Sequence, residues 1–250
     1  MTHTALAELM SADLSTLDLV CLLVDGVHLR RAVELSDDLG DPAGAAWTHD
    51  YCSLVYEQQG RDAEALESAQ RALDLFEAAG DRVGRAIALS DVGRYHGRLG
   101  NHRQALAFCS QALSLHQELD NRPYQAHTWS CLGDTHQQLG EPFQAVDCYR
   151  RALDLFRELG DRYGEASILA QLGEAHRAAG DPDAAREAWR DAQVVLVELD
   201  PSAADQLRTR LHWFTSTPPP TPCSAARCRP GWSDACSPRR QACSGSGHHS

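Results

Sequence analysis

Residues 140–161 read GEPFQAVDCYRRALDLFRELGD. Apolar side chains fall at Ala145, Tyr149, Ala152, Leu153, Phe156 and Leu159, steps of three and four that place them on one helical face. Glycines at 140 and 160 mark a turn at each end. The same pattern recurs upstream as LGNHRQALAFCSQALSLHQELD (99–120) and QGRDAEALESAQRALDLFEAAGD (59–81), and downstream as AGDPDAAREAWRDAQVVLVELD (179–200). Each copy lies 40 residues from the next. A fixed period of this size is the signature of a repeat solenoid, an architecture whose product is an extended surface.

Between these copies lies a second recurring helix. Units are expected at 40–79, 80–119, 120–159 and 160–199, each a helix–turn–helix hairpin. Gly40-Asp41-Pro42 shows the joint: Gly ends one helix in the left-handed conformation, Asp caps the next, and Pro takes its first position. The helices are expected at 43–58, 62–79, 83–98, 102–119, 123–138, 142–159, 163–178 and 182–199. Val92-Gly93, Leu132-Gly133 and Leu172-Gly173 share one register in the first helices. A mid-helix glycine costs about 1 kcal/mol relative to alanine, so its recurrence implies close approach of the partner helix. Ala65, Ala105, Ala145 and Ala185, with Ala72, Ala112, Ala152 and Ala192, are the matching small residues on the second helices.

Trp129, Leu132, Gly133, Gly140, Ala145, Tyr149 and Ala152 resemble the spacing of the tetratricopeptide repeat. The extra length per unit and the Gly-Asp-Arg turns at 80–82 and 160–162 are similar to the 40-residue variety. That variety is familiar from kinesin light chains, cell-polarity adaptors and the sensor regions of actinobacterial antibiotic-regulatory (SARP-like) proteins. The resemblance implies an all-α, right-handed α-solenoid of helix hairpins with a C-terminal capping helix and a disordered tail.

The ends depart from the pattern. Residues 1–39 read as a degenerate first repeat, with Ala32, Leu35 and Leu39 in the register of Ala152, Leu155 and Leu159. Residues 201–214 read as the capping helix, its Leu207, Leu211 and Phe214 covering the last open apolar face. From 215 the chain turns to Pro, Ser, Arg, Gly and Cys, and too little apolar surface is left to offset ordering entropy. Its cysteines (Cys223, Cys228, Cys236, Cys243) lack the paired CxxC spacing of zinc modules, and no metal is expected. Cys21, Cys52, Cys109, Cys131 and Cys148 fall within helical patterns and read as reduced, structural thiols.

Formal net charge is -12, which disfavours direct nucleic-acid binding and anionic membranes. There is no Lys, so every cation apart from His is an arginine fork suited to carboxylates. No secretory signal or membrane-length apolar run is visible, and a cytoplasmic location is expected. No phosphate loop, nucleophile elbow or HExxH pair occurs, so neither catalytic residues nor a cofactor are expected. His96, His136 and His176 form a ladder at one register, spaced too widely to share a metal ion, and read as packing residues.

In the resembling family the first helices line the concave face. The register around the glycines there selects Arg94, Arg98, His127, Asp134, Gln137, Glu174 and Arg177 as contacts for a protein or peptide ligand. The function expected is a non-enzymatic binding scaffold, a regulatory or signalling interaction module. The alternative is the repeat region of a transcriptional regulator whose DNA-binding domain is absent from this chain. The sequence leaves the oligomeric state open.

Overall fold

Helix follows helix from the first described residue. The computed structural model describes residues 42–202 together with Ala204, Asp205 and Arg208. The expected first repeat over 1–39 and the tail over 215–250 lie outside the described residues, as does most of the expected capping helix. Its described positions, Pro201, Ser202, Ala204, Asp205 and Arg208, are helical, and Ala204 is buried.

Eight helices occupy the described residues: α1 (Pro42–Gln58), α2 (Asp62–Ala79), α3 (Arg82–Arg98), α4 (His102–Glu118), α5 (Arg122–Gln138), α6 (Pro142–Leu159), α7 (Arg162–Ala178) and α8 (Pro182–Leu199). Each begins and ends within one residue of the boundary expected from sequence. No strand occurs among them. The protein is an all-α solenoid of helix hairpins.

The turns explain the period. Gly60, Gly80, Gly100, Gly140, Gly160 and Gly180 all have positive φ, one every 20 residues except at Asp120, which takes the same conformation at φ 50. At each turn the left-handed residue donates its N–H three residues back, and the next residue donates five back, as in Gly80 to Glu77 and Asp81 to Phe76. This ties off the terminal carbonyls of the preceding helix. Asp81, Asp161 and Asp181 then cap the following helices, their carboxylates accepting from first-turn N–H groups.

Within hairpins, small faces large. A Cβ on Gly133 would lie 2.5 Å from the Tyr149 ring, and one on Gly173 would lie 2.2 Å from Trp189. Gly93 stands instead against Cys109, whose sulfur would be 2.5 Å from such a Cβ. The repeated alanines Ala65, Ala72, Ala105, Ala112, Ala145, Ala152, Ala185 and Ala192 are all fully buried. The mid-helix glycines therefore offset their propensity cost by admitting the partner helix.

A second complementarity joins successive hairpins. Phe76 fills the space a side chain would need at Gly84, and Phe156 does the same at Gly164. At the middle joint both positions carry a ring. His116 and Tyr124 occupy these registers, with rings stacked 5.2 Å apart. On the outside, exposed ion pairs tie the two helices of one hairpin at one repeated spacing: Arg82 to Glu118, and Arg122 to Glu158. Exposed pairs of this kind contribute about 0–1 kcal/mol each, so apolar packing carries the stacking.

Candidate functional site

Each odd-numbered helix packs on its own hairpin partner, and α1 also touches α3, as α3 touches α5. The odd helices therefore lie on the side where the stack is tightest, the inner face. A groove of about 570 Å³ opens there, between α3, α5 and α7. Of the residues selected from sequence, the groove gathers Arg94, Arg98, Asp134, Gln137 and Glu174. It does not gather the other two. His127 stands edge-on to Phe156, ring centroids 5.2 Å apart, and crowding by its surroundings lowers its pKa. Arg177 reaches back 3.0 Å to Glu174 on its own helix.

The α3 side of the groove is a closed ionic network. Arg94 pairs with Glu57 of α1 and, at 2.6 Å, with Asp91 of its own helix. It also donates to the Tyr95 hydroxyl at 3.1 Å. That hydroxyl lies 3.2 Å from Ser53 Oγ. Arg98 pairs with Asp62 at 2.7 Å and lies 3.6 Å from Glu57. Beside this network Asp50 is buried, only 4% exposed, against Asp91. Burial first, and the neighbouring carboxylate second, push the Asp50 pKa up to about 8, so at neutral pH it is mostly protonated. Both guanidinium groups are thus neutralised from within the fold.

The α5–α7 side is arranged differently. The Tyr149 hydroxyl donates to Asp134 Oδ1 at 2.6 Å and lies 3.2 Å from Gln137 Oε1. No ion pair reaches Asp134 among the described residues. Desolvation by the groove raises its pKa, and the Tyr149 bond only partly opposes this. Gln171 lines the same wall, and its Oε1 is buried without a hydrogen-bond partner. Cys131 also faces the groove, in contact with the buried Cys109. Burial and the Cys131 contact hold the Cys109 thiol well above its usual pKa, in the unreactive protonated form.

Two members of the histidine ladder find different partners. His96 stacks on Phe108 with centroids 5.4 Å apart, and His136 Nδ1 lies 2.7 Å from Glu141. Among the described residues no group of three or more His, Cys, Asp or Glu is placed to hold a metal ion.

The partners of the groove side chains are less legible in sequence than the side chains themselves. Asp91 is legible as a partner of Arg94 from its spacing of three. Glu57 is legible only once the stacking is known, because its distance in sequence is one repeat less three residues. Tyr149 packs against Gly133 as its apolar register predicts and also brings its hydroxyl to the groove, whereas Gln171 carries no signal beyond its neighbourhood.

The fold and the groove define a helical-repeat scaffold with a polar inner face. A family model of the tetratricopeptide repeat matches residues 45–118 and 124–192, more than half of the chain. The chain belongs to the tetratricopeptide repeat family, whose fold is typically a non-catalytic scaffold for protein interaction. No curated protein matches it. Among solved structures, BtubC (BKLC) from P. vanneervenii is 20% identical with a TM-score of 0.60, over 78% of this chain and 75% of that one. Aspartyl phosphate phosphatase F from Bacillus subtilis is 13% identical with a TM-score of 0.67, over 76% of this chain and 49% of that one. This chain therefore spans about half the length of the phosphatase it matches. A structure of nearly identical TPR-like repeats from a candidate kinesin light chain of Podosopora anserina is 14% identical, TM-score 0.55, over 76% of this chain and 97% of that one. At these identities the likeness establishes the fold alone. No described helix is long and apolar enough to cross a membrane.

Proposed function

We propose that this protein is a non-enzymatic scaffold that holds a protein or peptide segment in its inner groove, as a regulatory or signalling interaction module. The observation that carries this reading is the groove itself. Polar side chains from three successive odd helices converge on one open channel, while the apolar faces of the same helices are consumed by stacking. Such a channel suits an extended chain or an amphipathic helix that supplies matching polar groups. The acidic net charge argues against nucleic acid as the direct ligand.

A second reading makes the chain the repeat region of a transcriptional regulator. It rests on the likeness of its 40-residue units to SARP-type sensor regions. A salt-dependent gel shift by the isolated chain would favour direct DNA contact, and none is expected.

The test is affinity capture with mass spectrometry, comparing the wild type with Asp134→Arg combined with Gln171→Ala. Both positions line the groove and neither belongs to the Arg94 network. The variant is expected to keep its helical circular dichroism and to lose the proteins captured by the wild type. Retention of those proteins would move the site off the groove.

A further inference from the structure

We propose that the α5–α7 wall of the groove anchors a basic side chain, arginine or lysine, of the bound peptide, with Asp134 as its ion-pair partner. This deepens the peptide-groove reading and rests on it.

The first support is that the groove's own cations are already occupied. Arg94 is held by Glu57 and Asp91, and Arg98 by Asp62. An incoming carboxylate would have to displace an internal one from either fork, so an acidic ligand gains little there. The second support is Asp134. Its only hydrogen bond among the described residues comes from a neutral donor, the Tyr149 hydroxyl, and this engages Oδ1. Oδ2 is left for a ligand. An exposed carboxylate on the groove wall with no ion-pair partner among the described residues favours a positive one.

The third support is the company Asp134 keeps. Gln171 Oε1 is a buried acceptor with no donor in the fold, and it lines the same wall. Glu174, the counterpart of Asp134 one repeat on, adds negative potential to the groove although it also pairs with Arg177. A guanidinium or ammonium presents several N–H donors at once, and a turn of the Gln171 amide toward the groove would let it meet the carboxylate and the amide oxygen together. The net charge of -12 steers such a ligand toward the protein.

The test uses the purified full chain at low salt and fluorescence anisotropy. The probes are three labelled, end-blocked alanine–serine peptides alike except at two central positions, which are arginine, citrulline or glutamate. Citrulline keeps the shape of arginine and removes its charge. The arginine peptide is expected to bind about tenfold more tightly than the citrulline peptide, and Asp134→Asn to remove that margin. Gly97→Phe, which narrows the groove without changing its charge, is expected to weaken all binding.

Equal binding of arginine and citrulline peptides, a preference for glutamate, or an arginine margin that survives Asp134→Asn overturns the anchor. If Gly97→Phe still weakens binding in those cases, the groove reading stands. Binding untouched by Gly97→Phe, or no binding of any peptide, overturns both.

Discussion

Tyr95 and Tyr149 are both buried, and both deliver a hydroxyl to the inner face, but from opposite helices. Tyr95 belongs to α3 and packs over Ala65 and Ala69 of the hairpin before it. Tyr149 belongs to α6 and packs against Gly133 of its own hairpin. The surroundings differ more than the residues. The Tyr95 hydroxyl sits among Ser53, Arg94 and Glu57, where donors, acceptors and charges are matched within the fold. The Tyr149 hydroxyl donates to the Asp134 carboxylate and lies beside the Gln137 amide, with no charge-matched cation at hand among the described residues. One half of the inner face is therefore cross-linked by ion pairs, and the other keeps acceptor capacity open to the groove. Repeats that look alike in sequence thus differ in how far their inner-face polar groups are satisfied within the fold.

The sharpest way to break this comparison is at Gly133. A leucine there would drive its Cβ into the Tyr149 ring, and is expected to cost about 3 kcal/mol in urea unfolding. Combining it with Tyr149→Ala should recover part of the loss, because the ring is what the side chain meets. A Gly133→Leu protein as stable as the wild type would show that Tyr149 is not fixed by its hairpin, and its hold on Asp134 would lose its basis.

Next in size is Arg94→Ala. It removes the counter-charge of Glu57 and Asp91 beside the buried Asp50. About 2 kcal/mol of stability should be lost, at the low end for a broken buried pair because Arg94 is 25% exposed. Asp134→Ala, in the other half, should cost less than about 1 kcal/mol. Similar costs for the two would erase the distinction between a structural and an open wall.

Much of this was legible before the structure. The glycines at 93, 133 and 173 and the buried alanines announced themselves because a helix repeats small residues only where another helix comes close. The inner-face side chains were selected through the family resemblance, and five of those seven line the groove. The state of the arginines was not. Sequence shows a guanidinium at 94 and at 98, but their neutralising partners Glu57 and Asp62 lie about one repeat away, on other helices. Only stacked geometry brings them within reach. The Phe–Gly joints were equally hidden, since Phe76 and Gly84 each look ordinary until they are superposed.

The joint between α4 and α5 separates the two halves, and the family match also breaks there, at 119–123. Here His116 and Tyr124 replace the Phe–Gly pair of the flanking joints. His116 is fully buried, and desolvation lowers its pKa to about 4. Its folded pKa thus lies below the unfolded value of 6.5, so stability is lost as pH falls from about 6.5 toward 4. His116→Phe with Tyr124→Gly should restore the packing of the flanking joints. Each single change should destabilise, and their coupling should be about 1–2 kcal/mol in a double-mutant cycle. The double variant should also lose acid sensitivity in that window, measured as the unfolding midpoint at pH 7 and pH 5.

Asp50→Asn probes the closed half with the opposite sign. Its folded pKa of about 8 lies above the unfolded 3.8, so the wild type loses stability as pH rises from about 4 to 8. The asparagine does not titrate. Its midpoint should gain on that of the wild type between pH 5 and pH 8, by on the order of 1 kcal/mol. A constant difference across that range would mean that the acid pair is more open to water than its 4% exposure indicates.

The smallest expected effect lies at the boundary turn itself. Six of the turns place glycine in the left-handed conformation, and Asp120 alone among the described non-glycine residues adopts it, at φ 50. Its N–H still donates to Gln117, and Asn121 to His116, so the turn closes as the others do. An L-residue pays roughly 1–2 kcal/mol for this conformation, less for aspartate, while glycine loses about 0.5–1 kcal/mol more entropy on folding. Asp120→Gly should therefore stabilise by only a few tenths of a kcal/mol, and Gly100→Asp should destabilise by a similar margin. If Asp120→Gly instead destabilises clearly, the aspartate does more than close a turn. The boundary between the halves would then be a specified element, not a drifted copy of its neighbours.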